Sequence, residues 1–120
     1  METPVKKSAI SKISRGFLLA TVTGLVLNIL AWALLLWKIP YTEEVVFLHY
    51  NIFYGVDLVG NWRQLFLVPG TGLFILVINI LCIFYFKKMS REIFGILLVM
   101  TLLLEVFLFI SAFLLVLLNN

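Results

Sequence analysis

The chain has 120 residues, is 63% hydrophobic and only 12% charged, and has a mean hydropathy of +1.15, which excludes an ordinary water-soluble domain. So short a chain cannot bury that much apolar surface in a core of its own, so most of it must face lipid or a partner. The net charge of +3 does not mark a nucleic-acid binder, because the basic residues lie beside apolar runs and form no single patch, and the lone Cys82 excludes an intramolecular disulfide.

Residues 1–15 carry Lys6, Lys7, Lys12 and Arg15 among Ser8, Ser11 and Ser14, and read as a cytoplasmic tail, partly disordered or interfacial. Residues 17–37 hold no charge over 21 positions, enough for a helix to cross about 30 Å of hydrocarbon. This apolar run is longer than the core of a cleaved signal, so it reads as the first transmembrane helix. Pro40 ends it.

Residues 38–63 form an outer loop, with Trp37, Tyr41 and Trp62 suited to a membrane-interface belt. Val45 to Tyr54 is dense in β-branched and aromatic residues, and Gly55-Val56-Asp57 supplies turn chemistry. A short strand or hairpin is expected there, with an interfacial helix as the alternative, because a two-stranded piece is marginal unless it rests on the helix ends.

Asn61-Trp62-Arg63-Gln64 has the spacing of a capping box and opens the second span, 64–86. Pro69-Gly70-Thr71-Gly72 near its outer end marks a kink or a close helix approach. Residues 87–92 form a basic cytoplasmic turn in which Ser90 caps the next helix and Glu92 complements its positive end. The third span, 93–118, carries a single charge, Glu105, and Asn119-Asn120 follow it. Seven basic residues (Lys6, Lys7, Lys12, Arg15, Lys87, Lys88, Arg91) on one side against Lys38 and Arg63 on the other place the N-terminus in the cytoplasm. The central loop and the C-terminus are then extracytoplasmic.

Glu105 is the sharpest chemical clue, since a carboxylate near mid-membrane costs roughly 2.5–3.5 kcal/mol and persists only with a partner or a water-filled path. It lies about 12 residues, or about 18 Å, into its span. Asn28 lies at a similar depth in the first span, so the two are expected to meet with Asn28 donating a hydrogen bond. Gly16, Ala20, Gly24 and Asn28 recur every fourth residue as a small-residue stripe that admits another helix backbone. Thr101 shares a face with Glu105, and Asn79 with Cys82 gives the second span a weakly polar face. These groups read first as glue between the three helices; an oligomer or partner contact and a proton or cation relay are the alternatives.

His49 stands near Glu43, Glu44, Tyr50 and Asp57 but has no metal-ligand spacing such as H-E-x-x-H, so it reads as a hydrogen-bonding loop residue. No Ser-His-Asp set, phosphate-cradling glycine loop or paired transmembrane carboxylates can be assembled. No catalytic residue, metal or cofactor is therefore expected.

Ile39-Pro40, then His49-Tyr50-Asn51, then Gly55-Val56-Asp57 ahead of a second span resemble a bacterial membrane domain of unknown function. That domain carries Pro, His-Phe-Asn and Gly-x-Pro-Asp between its first two helices, and it is also found in the immunity protein against a sporulation-delaying toxin. The resemblance covers residues 17–86; Tyr50 stands where the family has Phe, and Val56 where it has Pro. It implies a bacterial inner-membrane protein with an ordered outer loop, and it singles out His49, Asn51, Gly55 and Asp57 as loop-motif residues.

Together these readings predict an all-α membrane protein with one integral domain and three transmembrane helices, and a short β-like or interfacial extracytoplasmic loop between helices 1 and 2. The expected role is a non-enzymatic accessory or interaction protein of the bacterial cell membrane, immunity-like in some relatives. Its expected partners are the lipid bilayer and a membrane protein or further copies of itself, with no nucleic acid. The rival is a subunit of a homo-oligomeric transporter or channel that uses Glu105.

Overall fold

The computed structural model describes residues 4–85 and 90–120. Lys87 and Lys88 of the expected cytoplasmic turn lie outside the described residues. Three helices, α1 (Pro4–Lys38), α2 (Leu67–Tyr85) and α3 (Arg91–Asn119), are joined on one side by an antiparallel hairpin of β1 (Val46–Asn51) and β2 (Gly55–Gly60). Each helical segment has a stretch long and apolar enough to cross a membrane: Arg15–Lys38, Trp62–Cys82 and Arg91–Asn119. The large apolar side chains of these three spans that stay exposed, such as Leu19, Phe74 and Phe107, are what lipid would cover.

α1 begins at Pro4, so the segment expected to be a partly disordered or interfacial tail is helical for most of its length. Its 35 residues span about 52 Å, more than the hydrocarbon thickness. At the other end the Ile39 N–H still reaches the Leu35 carbonyl at 3.0 Å before Pro40 stops the helix. Lys38 lies in that last turn, its Nζ 4.2 Å from the Trp37 ring centre.

The loop resolves into a hairpin, not an interfacial helix. Val46 pairs with Gly60, Phe47 with Val59, His49 with Leu58, Tyr50 with Val56 and Asn51 with Gly55. Leu48 on β1 and Asp57 on β2 are thus left over, one bulge residue per strand, and the two bulges cancel so that register is recovered. At the tip the Asn51 Oδ1 accepts from the Phe53 N–H at 2.8 Å, and Gly55 takes φ +75°, a conformation that a side chain would strain.

The Asn61–Gln64 box starts a 3₁₀ turn, Trp62–Phe66, and not the α-helix itself. The Asn61 N–H donates to Gln64 Oε1 at 2.8 Å, and the Gln64 N–H donates to the Asn61 carbonyl at 2.8 Å. Pro69 falls in the first turn of α2, where a backbone N–H has no helical partner to lose, and α2 runs on unbroken. Ser90 caps α3, its Oγ accepting from the Ile93 N–H at 3.3 Å.

The apolar core lies in the hairpin half of the bundle. Ala31, Leu35 and Ile39 of α1 and its exit meet Val46, Leu65, and Ala112, Leu115 and Val116 of α3. Toward the other end, small and polar residues take over the contacts between helices.

Candidate functional site

Two sites stand out, one inside the bundle and one on the hairpin. The first is where polar groups of all three helices meet. Asn28 Nδ2 donates to the Pro69 carbonyl at 2.8 Å and lies 3.3 Å from Glu105 Oε2, so one amide ties α1 to both other helices. Asn28 and Glu105 are 2% and 1% exposed. Glu105 Oε1 is buried with no hydrogen-bond partner among the described residues.

Glycines make this approach possible. A Cβ on Gly72 would lie 2.7 Å from Asn28 Nδ2 and 2.8 Å from each Glu105 oxygen; one on Gly24 would lie 3.1 Å from Leu76 Cδ2 and 3.5 Å from Glu105 Cγ. The α2 backbone therefore packs directly on the amide and the carboxyl. In lipid, where apolar association gains little, such close packing and interhelical hydrogen bonds supply the cohesion.

A second polar tie lies deeper along α2: Asn79 Nδ2 donates to Thr101 Oγ1 at 2.5 Å, and that hydroxyl donates to the Leu97 carbonyl at 2.7 Å. Cys82, on the same helix as Asn79, is half-buried. Of the small-residue stripe, Gly24 and Asn28 are buried and Ala20 half-buried. Gly16 is exposed, with nothing within 4 Å of where its Cβ would be, so the close approach does not extend to it. The buried face of α1 continues instead through Ala31 and Leu35.

The hairpin site is built on the bulges. His49 Nδ1 lies 2.6 Å from Asp57 Oδ1, bridging the two strands where Asp57 is left unpaired. An ionised Asp57 can only accept, so Nδ1 carries the donated hydrogen. Among the described residues no three His, Cys, Asp or Glu side chains gather as a metal site.

Two further braces hold the hairpin to the bundle, and neither is visible in a motif. Asn119 Nδ2 donates to the Phe47 carbonyl at 2.7 Å and to the Leu115 carbonyl at 2.9 Å, while its Oδ1 accepts from the Phe47 N–H at 2.8 Å. The side-chain amide pairs with β1 as a third strand's peptide would. At the loop base Trp62 Nε1 donates to the Ile39 carbonyl at 3.0 Å. The Trp62 ring meets Tyr41 and Phe66 edge-on at 5.4 and 4.7 Å between centroids, and Phe66 stacks on Trp32 at 5.3 Å.

The hairpin tip, by contrast, touches little. Ile52, Phe53 and Tyr54 are 82%, 86% and 84% exposed. β1 adds exposed Phe47 and Tyr50 and β2 exposed Leu58 and Val59, so the hairpin presents apolar side chains at its tip and along both strands. Sequence reasoning found the β-branched and aromatic character of this stretch but not the braces, since a lone Asn after a span carries no periodic signal; the Pro69–Gly72 stretch was readable as a kink or a close approach, but not that Asn28 and Glu105 would meet Gly72. Comparison of the chain with protein-family models, with characterised proteins and with solved structures gives no match.

Proposed function

We propose that this protein is a non-enzymatic accessory of a bacterial cytoplasmic membrane, with its N-terminus in the cytoplasm and its hairpin outside, where the hairpin binds another membrane protein. The observation that carries this reading is the exposed Ile52-Phe53-Tyr54 tip on a hairpin held at its base by Asn119 and Trp62 and bridged across its strands by the His49–Asp57 pair. Three adjacent large apolar side chains offered on a braced support are what a protein-binding anchor requires. The imbalance of seven basic residues against two supports the orientation. The resemblance of residues 17–86 to a domain found in a toxin-immunity protein makes an immunity-like role its most concrete form.

The test is a photoreactive amino acid placed at Phe53 in the protein in its native membrane. One discrete heavier protein product from position 53, absent from position 43, is the expected result. Products with lipid alone, or none, would refute it.

One observation favours a second reading, a proton or cation relay in a homo-oligomer: the buried, unpartnered Oε1 of Glu105. Glu105→Gln keeps an acceptor for Asn28 but cannot exchange a proton. In proteoliposomes the relay requires pH-driven flux that this change abolishes, whereas the accessory role survives it.

A further inference from the structure

We propose that the groove between β1 and the outer end of α3 is a lipid site that holds one acyl chain of a bilayer phospholipid. The groove is open to one side and offers about 720 Å³, inside the roughly 300–1,000 Å³ range of small-ligand sites. Leu48, His49 and Tyr50 line one side and Ser111, Leu114 and Leu118 the other.

Its position selects the occupant. The α3 residues belong to the last turns of a membrane-spanning helix, so that wall lies in hydrocarbon. The β1 wall is bonded through Phe47 to Asn119, the residue at which α3 ends, and so lies where the helices leave the hydrocarbon. Trp62 and Tyr41, the aromatic pair of the interface belt, sit at this same end of the bundle. A cleft that crosses this boundary suits an amphiphile whose chain lies on the leucines while its polar part lies beside His49 and Tyr50.

The groove is also continuous with the lipid-facing flank of α3, where Leu114 and Leu117 are 56% and 59% exposed. Water filling it would lie against four leucines of one helix. A flexible single acyl chain can follow this groove from the leucines of α3 to β1.

The experiment uses the full chain in vesicles of phosphatidylethanolamine and phosphatidylglycerol (3:1), doped with a phosphatidylethanolamine that carries a diazirine midway along one chain. After illumination, adducts are mapped by peptide mass spectrometry. Labelling of 111–118 and 48–50 is expected to exceed that of Leu36 and Leu67 by at least about fivefold, although Leu36 and Leu67 are 55% and 65% exposed. Ser111→Trp fills the groove and should bring its labelling down to that of Leu36. Groove labelling within twofold of those flanking leucines in the unaltered protein would overturn the proposal, because the groove would then be ordinary lipid-facing surface. Absence of adducts in the groove while the flanks are labelled would also overturn it, since protein would then cover it. Both readings come from the unaltered chain and are independent of whether the hairpin tip has a protein partner.

Discussion

Replacing Gly72 with alanine puts a methyl group 2.7 Å from Asn28 Nδ2 and 2.8 Å from both Glu105 oxygens, closer than such contacts are tolerated. The crowded atoms are side-chain ends, but they are not free to swing: Asn28 is bonded to the Pro69 carbonyl, and both side chains are almost completely buried. Overpacking of this kind costs about 1–3 kcal/mol, and each disrupted intramembrane hydrogen bond adds about 0.6–2 kcal/mol. Alanine's advantage over glycine in a helix offsets about 0.5–1 kcal/mol. The expected net loss is therefore about 2.5 kcal/mol, within a span of about 0.6–4.5 kcal/mol, read from reversible unfolding in mixed detergent micelles. Gly70→Ala and Gly95→Ala are the controls, because among the described residues nothing lies within 4 Å of a Cβ at either position, and both should be neutral or slightly stabilising. In a Glu105→Ala background, where the crowding carboxyl is gone, the Gly72→Ala loss should shrink by at least about 1 kcal/mol. A Gly72→Ala protein that unfolds with Gly70→Ala, or a loss unchanged by Glu105→Ala, would refute the close approach of α2 to this pair.

The hairpin gives three more predictions. Alanine at His49, Asn51 or Asp57 removes a strand bridge or the tip bond to the Phe53 N–H, and should raise external protease cutting near Tyr54 without impairing insertion; equal cutting in parent and variants would sink this. Trp62→Phe keeps the ring contacts with Tyr41 and Phe66 but loses the bond to the Ile39 carbonyl. It should cost about 0.5–1.5 kcal/mol, well short of the roughly 3–5 kcal/mol expected of Trp62→Ala; no loss in Trp62→Phe would show that the hydrogen bond contributes nothing, and equal losses would show that the ring contacts contribute nothing. Asn119→Ala frees both the N–H and the carbonyl of Phe47, so amide exchange at Phe47 should quicken at least about fivefold, whereas Asn119→Asp keeps the acceptor and should retain most of the protection; unchanged exchange in both would count against the brace.

The three spans were legible in the sequence because a membrane span is written in a single variable, an uninterrupted apolar run, which neighbours cannot override. The hairpin was legible as β-branched and aromatic density ending in Gly55, the one residue able to take the positive φ that the turn requires. What remained hidden depends on distance in sequence. The Asn28 carboxamide reaches Pro69, 41 positions away, and Glu105, 77 positions away, and depth alone could pair it only with Glu105. The capping box at Asn61 was readable as a helix start, but box spacing alone does not say whether that start is 3₁₀ or α. The stripe from Gly16 to Asn28 has the spacing of a helix contact along its whole length. The structure uses only its later part, because α2 and α3 crowd the glycine at 24 and leave the one at 16 open.

A two-stranded hairpin of six-residue strands is marginal by itself, and this one borrows its stability from the bundle. Its first residue, Val46, is buried in the same cluster as Leu35, Leu65 and Leu115. Its edge is bonded by the α3 side chain that closes the third span, and its base is fixed by an indole from the turn that opens the second. The hairpin is thereby tied to all three helix ends. Its base and its tip have opposite characters: Val46 is 4% exposed and Phe53 is 86% exposed. An apolar tip that served only folding would be expected to turn inward onto the helix ends, where Leu48 already packs. Holding Ile52, Phe53 and Tyr54 outward leaves apolar surface uncovered, which is unfavourable in water. Contact with another protein, as we propose, would remove that cost, and the braces at the base are what hold the tip outward.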